Sequence, residues 1–131
     1  MKGFTLIEVL VALVILSVGL LGLAGLQTTG IRNNHSANLR SQATIMAYDI
    51  ADRIRANKEN VDAYAIAIDG DSEGGSTIAE SDMAEWLSNL SERLPSGDGS
   101  IEINAEIVTI QVQWIDSRDN DTTTFLMTTG I

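Results

Sequence analysis

The sequence predicts an α+β fold. A long N-terminal helix, apolar in its first half and amphipathic in its second, is laid on a small antiparallel sheet with a short extra helix. Three observations predict it. No charged residue occurs from Val9 to Ile31. A helical apolar stripe follows, and after Gly99 the apolar period falls to two. A length of 131 residues holds one domain with at most an appendage.

The apolar segment comes first. Val9 to Leu26 reads VLVALVILSVGLLGLAGL, with Ser17 as its only polar side chain. A helix from Phe4 to Leu26 would be about 35 Å long, enough to cross a bilayer core of ~30 Å. So small a soluble remainder could not wrap an apolar rod on every side, which argues against a buried core helix. The run is too long for the apolar core of a secretory signal, and Ala24-Gly25-Leu26-Gln27 is a poor small-residue cleavage site. Lys2 on one side and Arg32 and Arg40 on the other hardly decide orientation. Gly19, Gly22 and Gly25 recur every three residues, which suits either ordinary tolerance of glycine or close helix approach. Glu8 stands at the edge of this segment, where a carboxylate is costly to bury and normally has a partner or a task.

Past Arg32 the pattern becomes amphipathic. Leu39, Ala43, Met46, Ile50 and Ile54 form one helical stripe, so the helix is expected to run from about Phe4 to about Asn57. Asp49 and Arg53 form an i, i+4 pair, and His35 extends the stripe as a packing or surface residue. Residues 69–80, DGDSEGGSTIAE, read as a loop. Asp69, Asp71, Glu73, Gly74 and Glu80 also fall at the spacing of an EF-hand loop, against the plainer reading of a solvated acidic loop. A short helix follows. Ser81 or Asp82 is expected to cap it with Glu85 closing a capping box, Met83, Leu87, Leu90 and Leu94 form its stripe, and Trp86 anchors it. Pro95 and Gly97 stop it. Strands are expected around Ile101 and Ile103, from Val108 to Trp114, and from Thr123 to Thr128 with Phe125 and Met127, or Leu126, inward. Ser117 to Asp121 is the turn before the last one.

Charge and composition exclude several classes. Residues 1–58 carry six basic and three acidic residues, whereas residues 59–131 carry fifteen acidic residues against Arg93 and Arg118 alone. So acidic a region is a poor partner for nucleic acid. With no Cys and one His, there is no disulfide scaffold, Cys-based zinc site or thiol nucleophile. No paired carboxylates or nucleophile motif can be placed in a pocket, so no catalytic residue, metal site or cofactor is assigned.

Gly3-Phe4-Thr5-Leu6-Ile7-Glu8 followed by an uncharged apolar helix resembles the class III signal of the type IV pilin family. The order of elements is similar to the pilin fold over the whole chain. The resemblance implies that a prepilin peptidase cuts after Gly3 and methylates the new amine of Phe4. It implies a leader at residues 1–3, a transmembrane and filament-core helix at 4–31, and a periplasmic head at 32–131. Glu8 would pair with the Phe4 amine of a neighbouring subunit, giving register to assembly. The protein would pass once through the inner membrane and then join an extracellular pilus. Other minor and major pilins, the peptidase and the inner-membrane assembly machinery would be its partners. Asp82-Met83-Ala84-Glu85-Trp86-Leu87 and Leu94-Pro95-Ser96-Gly97-Asp98-Gly99, before a strand ending in Trp114, resemble the minor pilins that prime assembly. The chain departs from many major pilins in lacking a C-terminal disulfide pair and a proline in the apolar helix. Two other readings stand beside this one. A minor pseudopilin of a type II secretion system would share the N-terminal signal. A membrane-anchored adhesin or calcium-responsive module would draw on the loop at Asp69–Glu80.

Overall fold

The structure is a computed structural model that describes residues 3–72, 74–116 and 121–131. Glu73 of the acidic loop, residues 117–120 of the expected turn, and Met1 and Lys2 of the expected leader lie outside the described residues. The fold is α+β, with a long helix, a short helix and a three-stranded antiparallel sheet. The chain divides into two compact units, Met1–His35 and Ser36–Ile131. Helix α1, Leu6–Ala56, contributes to both.

The first unit is helical from Leu6, and its described side chains are exposed. An 18-residue window of α1 reaches a mean hydropathy of 2.8 with none of it buried. Polar side chains here bond back into the helix. The Ser17 hydroxyl donates to the Leu13 carbonyl at 2.7 Å, Thr28 to Ala24 at 3.0 Å and Thr29 to Gly25 at 3.1 Å. Such bonds satisfy a hydroxyl without water, which suits an apolar surrounding.

In the second unit the expected stripe is buried: Leu39, Ala43, Met46, Ile50 and Ile54 all lie in the core. His35 does not extend it. Its side chain is exposed, and Ser36, one position on, takes the buried place and donates to the Asp116 carboxylate. The stripe begins three residues before Leu39, not four. A 3-10 turn, Lys58–Tyr64, follows α1 and buries Tyr64. The turn is too short to show a period in the sequence, so no element is expected there.

Helix α2 runs Ile78–Arg93 and starts earlier than expected. The cap is Thr77 with Glu80, not Ser81 or Asp82 with Glu85. Both positions fit the Ser/Thr/Asp-x-x-Glu pattern. Thr77 is favoured because the extra turn buries Ala79 beside Met83, Trp86 and Leu90. Leu87 is only half-buried. The Trp86 indole N–H donates to the Met46 carbonyl at 3.0 Å, tying α2 to α1 within this unit. Strands β1 (Asp98–Asn104), β2 (Ile107–Asp116) and β3 (Asp121–Gly130) lie in sequence order, antiparallel. Val108, Ile110, Val112 and Trp114 face the core with Ile101. On β3, Phe125 and Met127 are half-buried and Leu126 is exposed, which decides between the two expected faces. Gly99 lies beneath Trp86: a Cβ there would come within 2.4 Å of the indole ring. A bridge between Ile66 and Ile101 adds a short strand contact outside β1.

Candidate functional site

The expected site residues lie at the start of the first unit. Gly3, Phe4 and Thr5 precede the helix, and the Thr5 carbonyl accepts the Glu8 and Val9 N–H groups at 3.1 and 3.3 Å. This opens α1 just after Phe4. Phe4 is 84% exposed, and Phe4 and Glu8 line one shallow groove with Val9, Ala12, Leu13 and Leu16. The structure therefore brings Phe4 and Glu8 to one face, with Gly3 just before them. Among the described residues Glu8 makes no ion pair or side-chain hydrogen bond. Its carboxylate is an acceptor set in an otherwise apolar face, available to a cation outside the chain.

Glycines in this segment are not required by the fold. A Cβ at Gly3, Gly19, Gly22 or Gly25 would meet nothing within 4 Å. Bringing each exposed Leu or Val out of water would contribute about 1.5–3 kcal/mol. The segment thus has a strong drive to leave water and few internal contacts to satisfy it.

The second unit holds the chain's polar network. Arg53 reaches three carboxylates: Asp49 at 3.1 Å, Asp82 at 3.2 Å and Glu85 at 2.8 Å. The Tyr64 hydroxyl donates to the other oxygen of Asp82 at 2.7 Å and accepts from the Asn57 amide at 3.2 Å. Asp82 and Glu85, expected as a cap, instead join α2 to α1. The hydrogen bond to Arg53 holds the Glu85 carboxyl below its usual range, and Glu85 in turn raises the guanidinium. Burial, then the bond to Asp82, pushes the Tyr64 phenol above its usual value. Every described charge here has an opposite neighbour, so the network is a clasp between helices.

The acidic loop is organised by its own hydrogen bonds. The Asp69 N–H donates to the Asp98 carboxylate at 2.8 Å. The Glu80 carboxylate accepts the Thr77 N–H at 3.1 Å and its hydroxyl at 2.8 Å, which lowers its pKa. Glu80, the twelfth position of the EF-hand spacing, is thereby committed to the helix cap. Among the described residues no three acidic or His side chains gather as a metal site.

Residues 1–24 match the family model described as the prokaryotic N-terminal methylation motif. A search of curated proteins and one of solved structures each returned no match. The match takes in Gly3, Phe4 and Glu8 and stops inside the apolar segment. It supports a type IV pilin-like or pseudopilin-like protein, a structural class that works with other pilins and a prepilin peptidase. The motif and the long apolar helix fit anchoring in the inner membrane.

Proposed function

We propose that the chain is a minor pilin of a type IV pilus, of the PilV group, that helps to prime assembly and enters the filament or its tip. The observation that carries this reading is the methylation motif set on an exposed apolar helix. A peptidase cuts after Gly3 and methylates Phe4, releasing residues 1–3. Residues 4–31 then serve first as a single membrane span and later as part of a helix bundle, with residues 32–131 as the periplasmic head. In the bundle the Phe4 ammonium of one subunit is paired by the Glu8 carboxylate of its neighbour. Either charge left alone in so apolar a place is strongly disfavoured, and breaking a buried pair costs about 3–5 kcal/mol. The pair therefore selects one register among many that apolar packing would allow. The motif fits a minor pseudopilin of a type II secretion system equally well. Deleting the gene and scoring surface pili, twitching motility and secretion separates the two: lost piliation is expected. Loss of secretion with normal pili would replace this reading with the pseudopilin.

A further inference from the structure

The two edges of the sheet are treated differently. On β1 the Ile66 backbone exchanges two hydrogen bonds with Ile101, at 3.0 and 2.9 Å, and so closes part of that edge. β3 is the terminal strand on the other side and, among the described residues, pairs with β2 alone. Successive residues of an antiparallel strand direct their N–H and C=O groups to opposite sides. Half of the backbone groups of β3 therefore face away from the sheet. Natural edges of this kind are blunted by charges, Pro, bulges or a covering segment. From Thr122 to Gly130 β3 reads TTTFLMTTG, without a charge or a Pro. Its register with β2 runs without a bulge from Asp116↔Asp121 to Ile107↔Gly130.

Charge is gathered at the two ends of this strand. Asp121 opens it. At the other end stand Glu106, whose carbonyl accepts the Ile131 N–H, and Arg55, which donates to the Thr129 hydroxyl within the strand. Arg55 is itself paired with Asp52 at 2.7 Å. Among the described residues both ends are acidic on balance, and the middle is neutral. Phe125 and Met127 lie half-buried on the core side of the strand, next to where an added strand would place its own inward side chains.

We infer that the free edge of β3 docks an extended segment of another protein as a fourth strand, neutral and β-branched in its middle with Lys or Arg at its ends. A second copy of this chain is disfavoured by like charge. Each copy brings the same acidic ends and the fifteen-to-two acidic excess of residues 59–131. The inference stands on the sheet alone and does not depend on processing at Gly3.

The test uses the full chain in detergent micelles and two synthetic peptides of alternating Thr and Val, one ending in Lys and one in Glu. Amide hydrogen exchange of β3 is the readout. The Lys-ended peptide should slow the outward-facing amides by about tenfold or more, and the Glu-ended peptide should leave them unchanged. Thr124→Pro and Phe125→Pro supply a second arm. One removes an outward N–H and the other an N–H facing β2, so the variant that keeps its melting temperature must lose the protection. Absence of protection at millimolar Lys-ended peptide, protection elsewhere than β3, or equal effects of the two peptides would overturn the inference. So would β3 protection that appears in the chain alone as its concentration rises, which would give the edge to a second copy.

Discussion

The two stretches of α1 have the same backbone conformation and opposite surroundings. Before Ser36 the described side chains are exposed, Leu and Val among them. From Ser36 onward eight residues of the same helix are buried. Helicity alone therefore says nothing about what a helix is for. The pattern does: apolar all round where another molecule or a membrane must supply the cover, apolar on one stripe where the chain supplies its own. The described side chains of the first stretch have no cover of their own, and the second owes its stability to Trp86, Ile50, Ile54 and the sheet.

That contrast can be broken by mutation, beginning with the largest effect. Gly3→Leu should abolish processing while leaving the second unit folded, since a Cβ at Gly3 would meet nothing within 4 Å. An unprocessed N-terminus by mass spectrometry, with an unchanged melting curve in detergent, checks both halves. Trp86→Ala should lower unfolding stability by about 3–5 kcal/mol in the same detergent. Leu16→Ala, in the first unit, should change it by less than about 0.5 kcal/mol. Equal losses from the two substitutions would erase the distinction between the two stretches. Thr77→Ala removes the cap of α2 and should cost about 1 kcal/mol by denaturant titration. Ala105 sits at φ 56° in the tight β1–β2 turn, a conformation that glycine adopts without strain. Ala105→Gly should raise stability by up to about 1 kcal/mol.

The smallest expected effect is the pH response, and it has two limbs. Glu80 and Glu85 are held below the usual carboxylate value of 4.5. Their contributions are present above that value and fade as pH falls through the folded-state values. Tyr64 is raised above 10.0, so its contribution is full below that pH and is lost as pH climbs through the raised folded-state value. Melting temperature against pH should show both slopes. Glu85→Gln should flatten the acid limb and Tyr64→Phe the alkaline one.

Much of this fold is legible in the sequence because it is written in long, regular patterns. The stripe from Leu39 to Ile54 and the alternation from Val108 to Trp114 each repeat often enough to leave one interpretation. Short and non-local features are not legible in this way. The 3-10 turn that buries Tyr64 has no period to detect. Ser36 and Asp116 are partners across eighty positions of chain. The cap at Thr77 was hidden because Glu80 also completes an EF-hand spacing, and Asp82 and Glu85 offered a second box of the same form. Which of two equivalent local motifs forms depends on burial, here that of Ala79, and burial is a property of the whole fold. The candidate site rests on the N-terminal motif alone: Phe4 and Glu8 are exposed, and a Cβ at Gly3 would meet nothing within 4 Å, so no packing in the fold bears on their expected roles.

In the proposed pilin, partner subunits cover the first stretch of α1 and the Phe4–Glu8 charge pair sets its register. Recovering the protein from sheared pili and sequencing its N-terminus, in wild type and in Glu8→Ala, tests that pairing. The wild-type chain should begin at Phe4 with a methyl group on its amine. Glu8→Ala should begin there too, yet reach the filament at least about a hundredfold less, the scale of the ~3–5 kcal/mol lost with one broken buried charge pair. A mature chain beginning elsewhere, or a Glu8→Ala variant recovered at the wild-type level, would contradict the account.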